Sequence, residues 1–233
     1  MSVTFYTDVW GTYFRQILSP GWLLEIARNC GCLFKSIRIV RNNIPDDLIE
    51  EYCDLLGARM DDTLDSALHA DNCAPRALKH FYLEAKDFAP LLYQSLADLV
   101  AIYHCSTEYI VFFSGDALPW GRSHWVRDGV KLLEAKPEVM IVNPVWNGFY
   151  EHAKAESFAE DDQAYYSRGF SDQCYLARTA ELRADIYHET HPDADAAFCP
   201  AHGNTFEKRV NAYMRNHGRV RASLKSAAYI TRP

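Results

Sequence analysis

The sequence has no apolar run longer than five residues, the length reached by Tyr109–Phe113. A membrane span needs about 20 such residues, so no segment is expected to cross a bilayer. The opening stretch carries Thr4, Thr7 and Asp8 and lacks a basic start, so it does not read as a signal peptide, and a cytoplasmic location is expected. An excess of positive charge is also missing: the formal net charge is −7, which argues against a nucleic-acid partner. Neither Gly-x-Gly-x-x-Gly nor a Walker-type loop occurs, which argues against a dinucleotide oxidoreductase and a P-loop kinase. Without a Gly-x-Ser-x-Gly elbow, an α/β-hydrolase has no nucleophile to build on. The seven cysteines are odd in number and irregularly spaced, and Cys30-x-Cys32 is not the redox Cys-x-x-Cys. They suit small buried apolar residues better than a disulfide framework.

What the sequence does have is ordinary globular composition: 233 residues, 48% hydrophobic and 24% charged. Residues 1–233 are read as a single domain with core enough to need no covalent or metal staple. Short β-rich runs alternate with helical periodicity, the signature of an α/β sheet. Strands are expected at Val3–Tyr6, Lys35–Val40, Tyr109–Phe113, Val139–Asn143 and Gln173–Ala177, with a weak one near Ala58–Met60. Helices are expected from Trp22 to Cys30, after Pro45, across Phe88–Tyr103, His124–Ala135 and Ala180–Tyr187, and from Asn204 to Gly218. Asn204 and Glu207 have the spacing of a capping box. Asp61–Lys86 and Pro144–Gly169 read as irregular, and Tyr229-Ile230 as a closing edge strand.

Charge is unevenly distributed. Phe206–Pro233 carries seven basic residues against Glu207 alone, a net +6 that leaves −13 on residues 1–205. Such a segment suits phosphates or peripheral contact with an anionic membrane surface, or is simply a solvated helix face.

The sharpest local feature is Tyr109-Ile110-Val111-Phe112-Phe113-Ser114-Gly115-Asp116. Apolar on both faces, its strand should be central, and ligands of open α/β sheets bind beyond the carboxyl ends of such strands. Asp116 is placed there to meet a hard cation, and Gly115 lets the backbone approach closely. A plain turn would use the same residues.

The order of these segments resembles glycosyltransferases of the bacterial, family-2-like GT-A fold. Val3–Thr7 stands for the first strand, and Val40-Arg41-Asn42-Asn43 ends another. The segment to Asp116 is similar to that family's Asp-x-Asp region. Val139–Pro144, Phe170–Leu176 and Phe206-Glu207 stand for its later strands and its late acidic motif. The resemblance implies a three-layer sandwich with a mostly parallel central sheet and helices on both faces. It implies transfer of a sugar from a nucleotide-diphosphate sugar to an acceptor hydroxyl of a saccharide or glycoconjugate. The setting it implies is bacterial surface polysaccharide or glycoconjugate synthesis, in the cytoplasm or peripheral to the inner membrane. Thr7, Asp8, Asn42, Ser114, Gly115, Asp116, Arg219 and Arg221 would contact the donor, with Asp116 also holding Mn²⁺ or Mg²⁺. Glu207 and Asp172 are the candidates for the base. Trp120, Trp125, Trp146, Tyr150, Tyr165 and Tyr166 fall around the acceptor side, where aromatic faces stack on sugars.

Two departures define the rival readings. Ser114 stands where the family has its first Asp, and Thr231-Arg232 follows the last strand where some members have a metal-binding His. These suit a non-catalytic module of the same fold that binds a nucleotide or a partner protein. Separately, His188-x-x-His191 and Cys199-x-x-His202 are zinc-ligand types, which would make residues 188–202 a metal-stabilised scaffold.

Overall fold

The computed structural model of the protein describes residues 1–60, 64, 66–197 and 203–231. One sheet organises them. Its strands are β1 (Val3–Val9), β2 (Ser36–Arg41), β3 (Ser66–His69), β4 (Tyr109–Phe113), β5 (Ala117–Pro119), β6 (Val139–Trp146), β7 (Ala159–Glu160), β8 (Ala164–Ser167), β9 (Cys174–Arg178) and β10 (Val220–Thr231). Their order is β3-β2-β1-β4-β9-β6-β10-β8-β7, with β5 paired to the far end of β10. The sheet is mostly parallel: β1, β2, β3, β4, β6 and β10 share one direction. β9 runs against them between β4 and β6.

β1 and β4 are buried at every residue, as expected of strands covered on both faces. Alternation then sorts their side chains into two layers. Phe5, Val111 and Phe113 pack with Trp125 and Leu133 on one face, under α2 (Trp22–Asn29), α3 (Ile49–Gly57) and α6 (Trp125–Ala135). On the other face Tyr6, Ile110 and Phe112 pack with Leu99 and Val210, under α4 (Ala70–His80), α5 (Tyr93–His104) and α10 (Phe206–Asn216). Helices on both faces of one sheet make the three-layer sandwich. Short helices fill the corners: α1 (Phe14–Ile17), α7 (Tyr150–Ala155), α8 (Thr179–Leu182) and α9 (Pro192–Ala197).

Several local expectations are corrected. Thr7 and Asp8 belong to β1 rather than a loop, because burial on both faces extends to Val9. Ala58–Met60 is a turn, and within the acidic stretch that follows lie β3 and α4. The long helix starts at Tyr93, not Phe88, because Pro90 has no N–H to continue it. Pro144–Gly169 holds the end of β6, α7 and the β7–β8 hairpin. The cap of α10 is Thr205, whose Oγ1 accepts the Lys208 N–H at 3.4 Å, so Glu207 is the second helical residue and makes no capping box with Asn204. Tyr229 and Ile230 lie on β10, flanked by β6 and β5, not at an edge. Trp125 is wholly buried and Tyr165 and Tyr166 nearly so, which takes all three out of any ligand-facing set.

The C-terminal basic side chains are engaged by acids. Lys208 pairs with Asp195 at 2.8 Å, Arg215 with Asp193 at 3.2 Å, Arg221 with Glu156 at 2.9 Å, and Lys225 with Glu160 at 2.6 Å. Arg219 pairs with Glu181. Arg209, 8% exposed, donates to the carbonyls of Tyr187 and Asp87. Arg232 lies outside the described residues. The basic excess of the C-terminal segment is thus largely paired with acids from the rest of the chain, while the net charge of −7 remains. Among the described residues no helix is long and apolar enough to cross a membrane.

Candidate active site

The carboxyl ends of β1, β2 and β4 open on a cavity of about 340 Å³. Asp8 comes from the end of β1, Asn42 from just past β2, and Ser114 and Asp116 from the turn after β4. The first turns of α5 contribute Tyr93, Gln94 and Asp98. Trp10, packed on Tyr13 with ring centroids 4.8 Å apart, forms the lip. Asp172, Gln173 and Glu207 close the far side. These three also line a second cavity, of about 370 Å³. Asn143 of β6, with Arg221, Ser223 and Tyr229 of β10, lies along it, and Trp146, Phe149, His152 and Glu156 stand around it. Two cavities therefore share one wall, and the wall carries two carboxyls.

Antiparallel β9 explains that wall. Running against its neighbours, it presents its start, not its end, at the edge where the parallel strands finish. The Tyr229 hydroxyl donates to Gln173 Oε1 at 3.1 Å and ties the wall to β10.

The turn after β4 is drawn against β1. Gly115 donates its N–H to Asp8 Oδ1 at 2.7 Å. A Cβ on Gly115 would lie 2.6 Å from the Asp8 carbonyl oxygen and 3.1 Å from Ile17 Cδ1. A backbone oxygen in a buried strand cannot yield as a side-chain tip can. Gly115→Ala is therefore expected to lose roughly 1–3 kcal/mol of stability and to displace Asp116. A thermal melt checks the first effect and ligand titration the second. A melting temperature equal to wild type would contradict the close approach.

Burial dominates the electrostatics. The Asp8 carboxyl, 8% exposed, is pushed up to about 7 by loss of hydration, with the nearby charges of Asp116 and Asp172 adding to the shift. Asp98 is 3% exposed and accepts the Tyr175 hydroxyl at 3.0 Å. Desolvation, with Asp172 and Asp8 nearby, holds it well above the carboxylate range. Asp172 is raised to about 6, by burial first and Asp116 second. Glu207 is raised well above its ordinary value by burial and by Asp172. The Asp172 backbone N–H, Arg221 and the Ser171 hydroxyl oppose that shift. Asp172 and Glu207 are partly buried in the wall between the cavities, and desolvation leads for both.

Most of the donor-contact set converges on the first cavity: Asp8, Asn42, Ser114 and Asp116 line it, and Gly115 fixes the turn between the last two. Both candidate bases line it as well. Three residues lie elsewhere. Thr7, one position from Asp8 on an alternating strand, is buried at 2% exposure and lines neither cavity. Arg219 is held by Glu181 and also lines neither. Arg221 lines the second cavity, donating to Ser167 Oγ at 3.0 Å as well as to Glu156. Asp98, Gln94, Gln173 and Trp10 were missed. Asp98 alone left a signal, as the single charge in the apolar stretch Leu96–Tyr103.

For a metal, the donor chemistry is mixed. The first cavity is lined by five carboxyls and, among the described residues, by no Lys or Arg. Asp116 Oδ1 accepts the Ser114 hydroxyl at 2.5 Å, which leaves its other oxygen for a hard cation. Yet no group of three or more His, Cys, Asp or Glu among the described residues forms a metal cage. The residues fit a cation shared with a bound diphosphate, not one held by protein alone. In the zinc reading, Cys199 and His202 lie outside the described residues. His188 contacts the Phe81 carbonyl at 3.0 Å, and His191 Nδ1 accepts the Asp193 N–H at 3.1 Å.

Solved structures share this architecture. Mouse xyloside xylosyltransferase 1 in its apo form superposes with a TM-score of 0.53 at 10% identity, over 96% of this chain and 85% of its own. The fold is GT-A. The mannosyltransferase PcManGT from Pyrobaculum calidifontis, in complex with GDP-Man and Mn²⁺, gives 0.55 at 14% identity, over 98% of this chain. S. aureus TarS 1-349 in complex with UDP-GlcNAc gives 0.54 at 11%, over the whole of this chain. The chain spans 56% and 59% of the length of those two. No protein-family description and no curated protein matches the sequence.

Proposed function

We propose that the protein moves a sugar from a nucleotide-diphosphate sugar to an acceptor hydroxyl. The observation that carries this reading is the shared wall: two substrate-sized cavities meet at Asp172, Gln173 and Glu207. A donor in the first cavity and an acceptor in the second would meet beside a carboxyl raised toward neutral pH, as a general base requires. The nucleotide-sugar complexes of fold relatives support the donor class.

In this mechanism Asp8, Asn42 and Trp10 surround the nucleoside end of the donor. Asp8 is neutral through much of the range below pH 7 and can offer a proton to a hydrogen bond there. The Gly115 N–H holds Asp8 in place and so sets where Asp116 stands. Asp116 would hold Mn²⁺ or Mg²⁺ together with the diphosphate, and the ion would neutralise charge on the leaving group. Among the described residues the lining of this cavity holds no Lys or Arg to do so. Glu207 takes the proton from the acceptor hydroxyl. Asp172 beside it keeps its affinity for that proton high. The same sequence resemblance that implies this chemistry implies surface polysaccharide or glycoconjugate synthesis as its setting.

A thermal-shift screen of UDP-, GDP- and CMP-sugars with and without Mn²⁺ tests the reading. One diphosphate donor is expected to raise the melting temperature, and more so with metal. Asp116→Ala, at a partly exposed position, should keep the fold and lose the metal-dependent part of that shift. An unchanged metal response in the variant would remove Asp116 from the site. A donor that binds with neither hydrolysis nor transfer would favour the non-catalytic module, which Ser114 in place of the first Asp recommends.

A further inference from the structure

The turn joining β6 to α7 is built to display aromatic rings. Asn147 and Gly148 have φ values of 47° and 65°, and Phe149 N–H donates to the Trp146 carbonyl at 2.9 Å. Two successive left-handed residues closed by that bond make a tight primed turn, which puts Trp146 and Phe149 on adjacent corners. Their rings meet edge to face at 5.5 Å and remain 44% and 49% exposed. Trp120, 61% exposed, lies flat against the same turn: a Cβ on Gly148 would fall 2.7 Å from its Cζ3. Three large rings left in water around one turn are costly unless a ligand covers them.

Their position says which ligand. Trp146 and Phe149 stand over the second cavity, whose inner wall holds the two carboxyls. Trp120 and Gly148 line the next groove, of about 270 Å³, on the other side of the turn. Ring faces followed by carboxyls and amides suit an amphipathic, hydroxyl-rich ligand, since the faces of aromatic rings carry negative potential and attract the C–H faces of pyranoses. The charge of the cavity narrows the class further. Among its described lining residues Arg221 is the sole Arg or Lys and is paired with Glu156, so it faces three acids, Glu156, Asp172 and Glu207, and the lining is net acidic once the base has lost its proton. A phosphate or carboxylate on the reacting sugar would be repelled.

We propose that the acceptor is an oligosaccharide with an uncharged terminal sugar: that sugar stacks on Trp146 and Phe149, and the next lies on Trp120. This rests on the glycosyl-transfer reading and adds the class of acceptor to it. The test is tryptophan-fluorescence titration and array binding with neutral di- and trisaccharides, with the same glycans phosphorylated on the terminal sugar, and with the component monosaccharides. A neutral trisaccharide is expected to bind and its phosphorylated form to bind at least tenfold more weakly. Trp120→Ala should weaken the trisaccharide by roughly threefold to tenfold, the range for one lost ring contact, and leave the monosaccharide unchanged. The proposal is overturned if no neutral oligosaccharide binds, if the phosphorylated form binds as well, or if Trp120→Ala weakens monosaccharide and trisaccharide alike. Nucleotide-sugar binding measured on the same samples separates the two ideas: its survival confines the failure to the acceptor class, and its loss as well takes the transfer reading down.

Discussion

Glu207→Gln should bind donor as wild type does and lose transfer by roughly 10²–10⁴-fold, the usual contribution of a positioned base. Asp172→Asn should behave differently. Wild-type Glu207 is raised by burial and by the charge of Asp172, so the rate should fall as pH drops into the window where the pair gains a proton, near 6 for Asp172. Removing the Asp172 charge removes one of the causes that hold Glu207 up. Its carboxylate then persists to lower pH, and the acid limb of the kcat/KM profile should move down while most of the rate is retained. Steady-state profiles of the two variants decide the roles. If Asp172→Asn is dead and Glu207→Gln is active with a shifted limb, the assignments exchange. If neither variant affects transfer, the shared wall is not the reacting centre.

Asp8→Asn is expected to stabilise the protein, by an amount that depends on pH. The folded Asp8 carboxyl keeps its proton to about 7, whereas an unfolded one loses it near 3.8. The folded form therefore binds more protons across that window, and stability falls as pH rises through it. Above pH 7 the loss is complete, with a ceiling of about 4 kcal/mol at 1.36 kcal/mol per unit. Asparagine has no charge to desolvate and still accepts the Gly115 N–H. Denaturation of the two proteins should agree near pH 4 and diverge by roughly 5–15 °C in Tm at pH 8. A difference that does not change with pH would mean that Asp8 is not held neutral by its surroundings. Weaker donor binding by the more stable variant would mark this carboxyl as retained for ligand rather than for fold.

The strands of the core were legible because their residues leave no alternative. Tyr109–Phe113 is apolar on both faces and could only be central, and Trp125–Ala135 repeats at helical spacing. Polar strands and hairpins were not. β3 has only partly buried residues, and β8 depends on pairing with β10 at a distance of more than 50 residues, which no local pattern encodes. The extent of β10 was hidden for the same reason: a strand gathering three partners carries ordinary residues such as Ser223 and Lys225. In the site, Asp8, Asp116, Asp172 and Glu207 were accessible because each borders a recognisable strand or helix. Asp98 was not, since a carboxyl on a buried helix looks like a surface position until its neighbours are known. Arg219 shows the converse, as its charge suggested phosphate in the sequence while the fold pairs it with Glu181.

The reversal of β9 has a consequence for how such a molecule can change over generations. Because Asp172 and Gln173 belong to both chambers, no substitution there adjusts the shape of one in isolation. If the two chambers take donor and acceptor as proposed, preference for a new donor would drag acceptor preference with it at these positions. Independent drift is left to the outer margins, Trp10 on one side and the Trp146–Phe149 corner on the other.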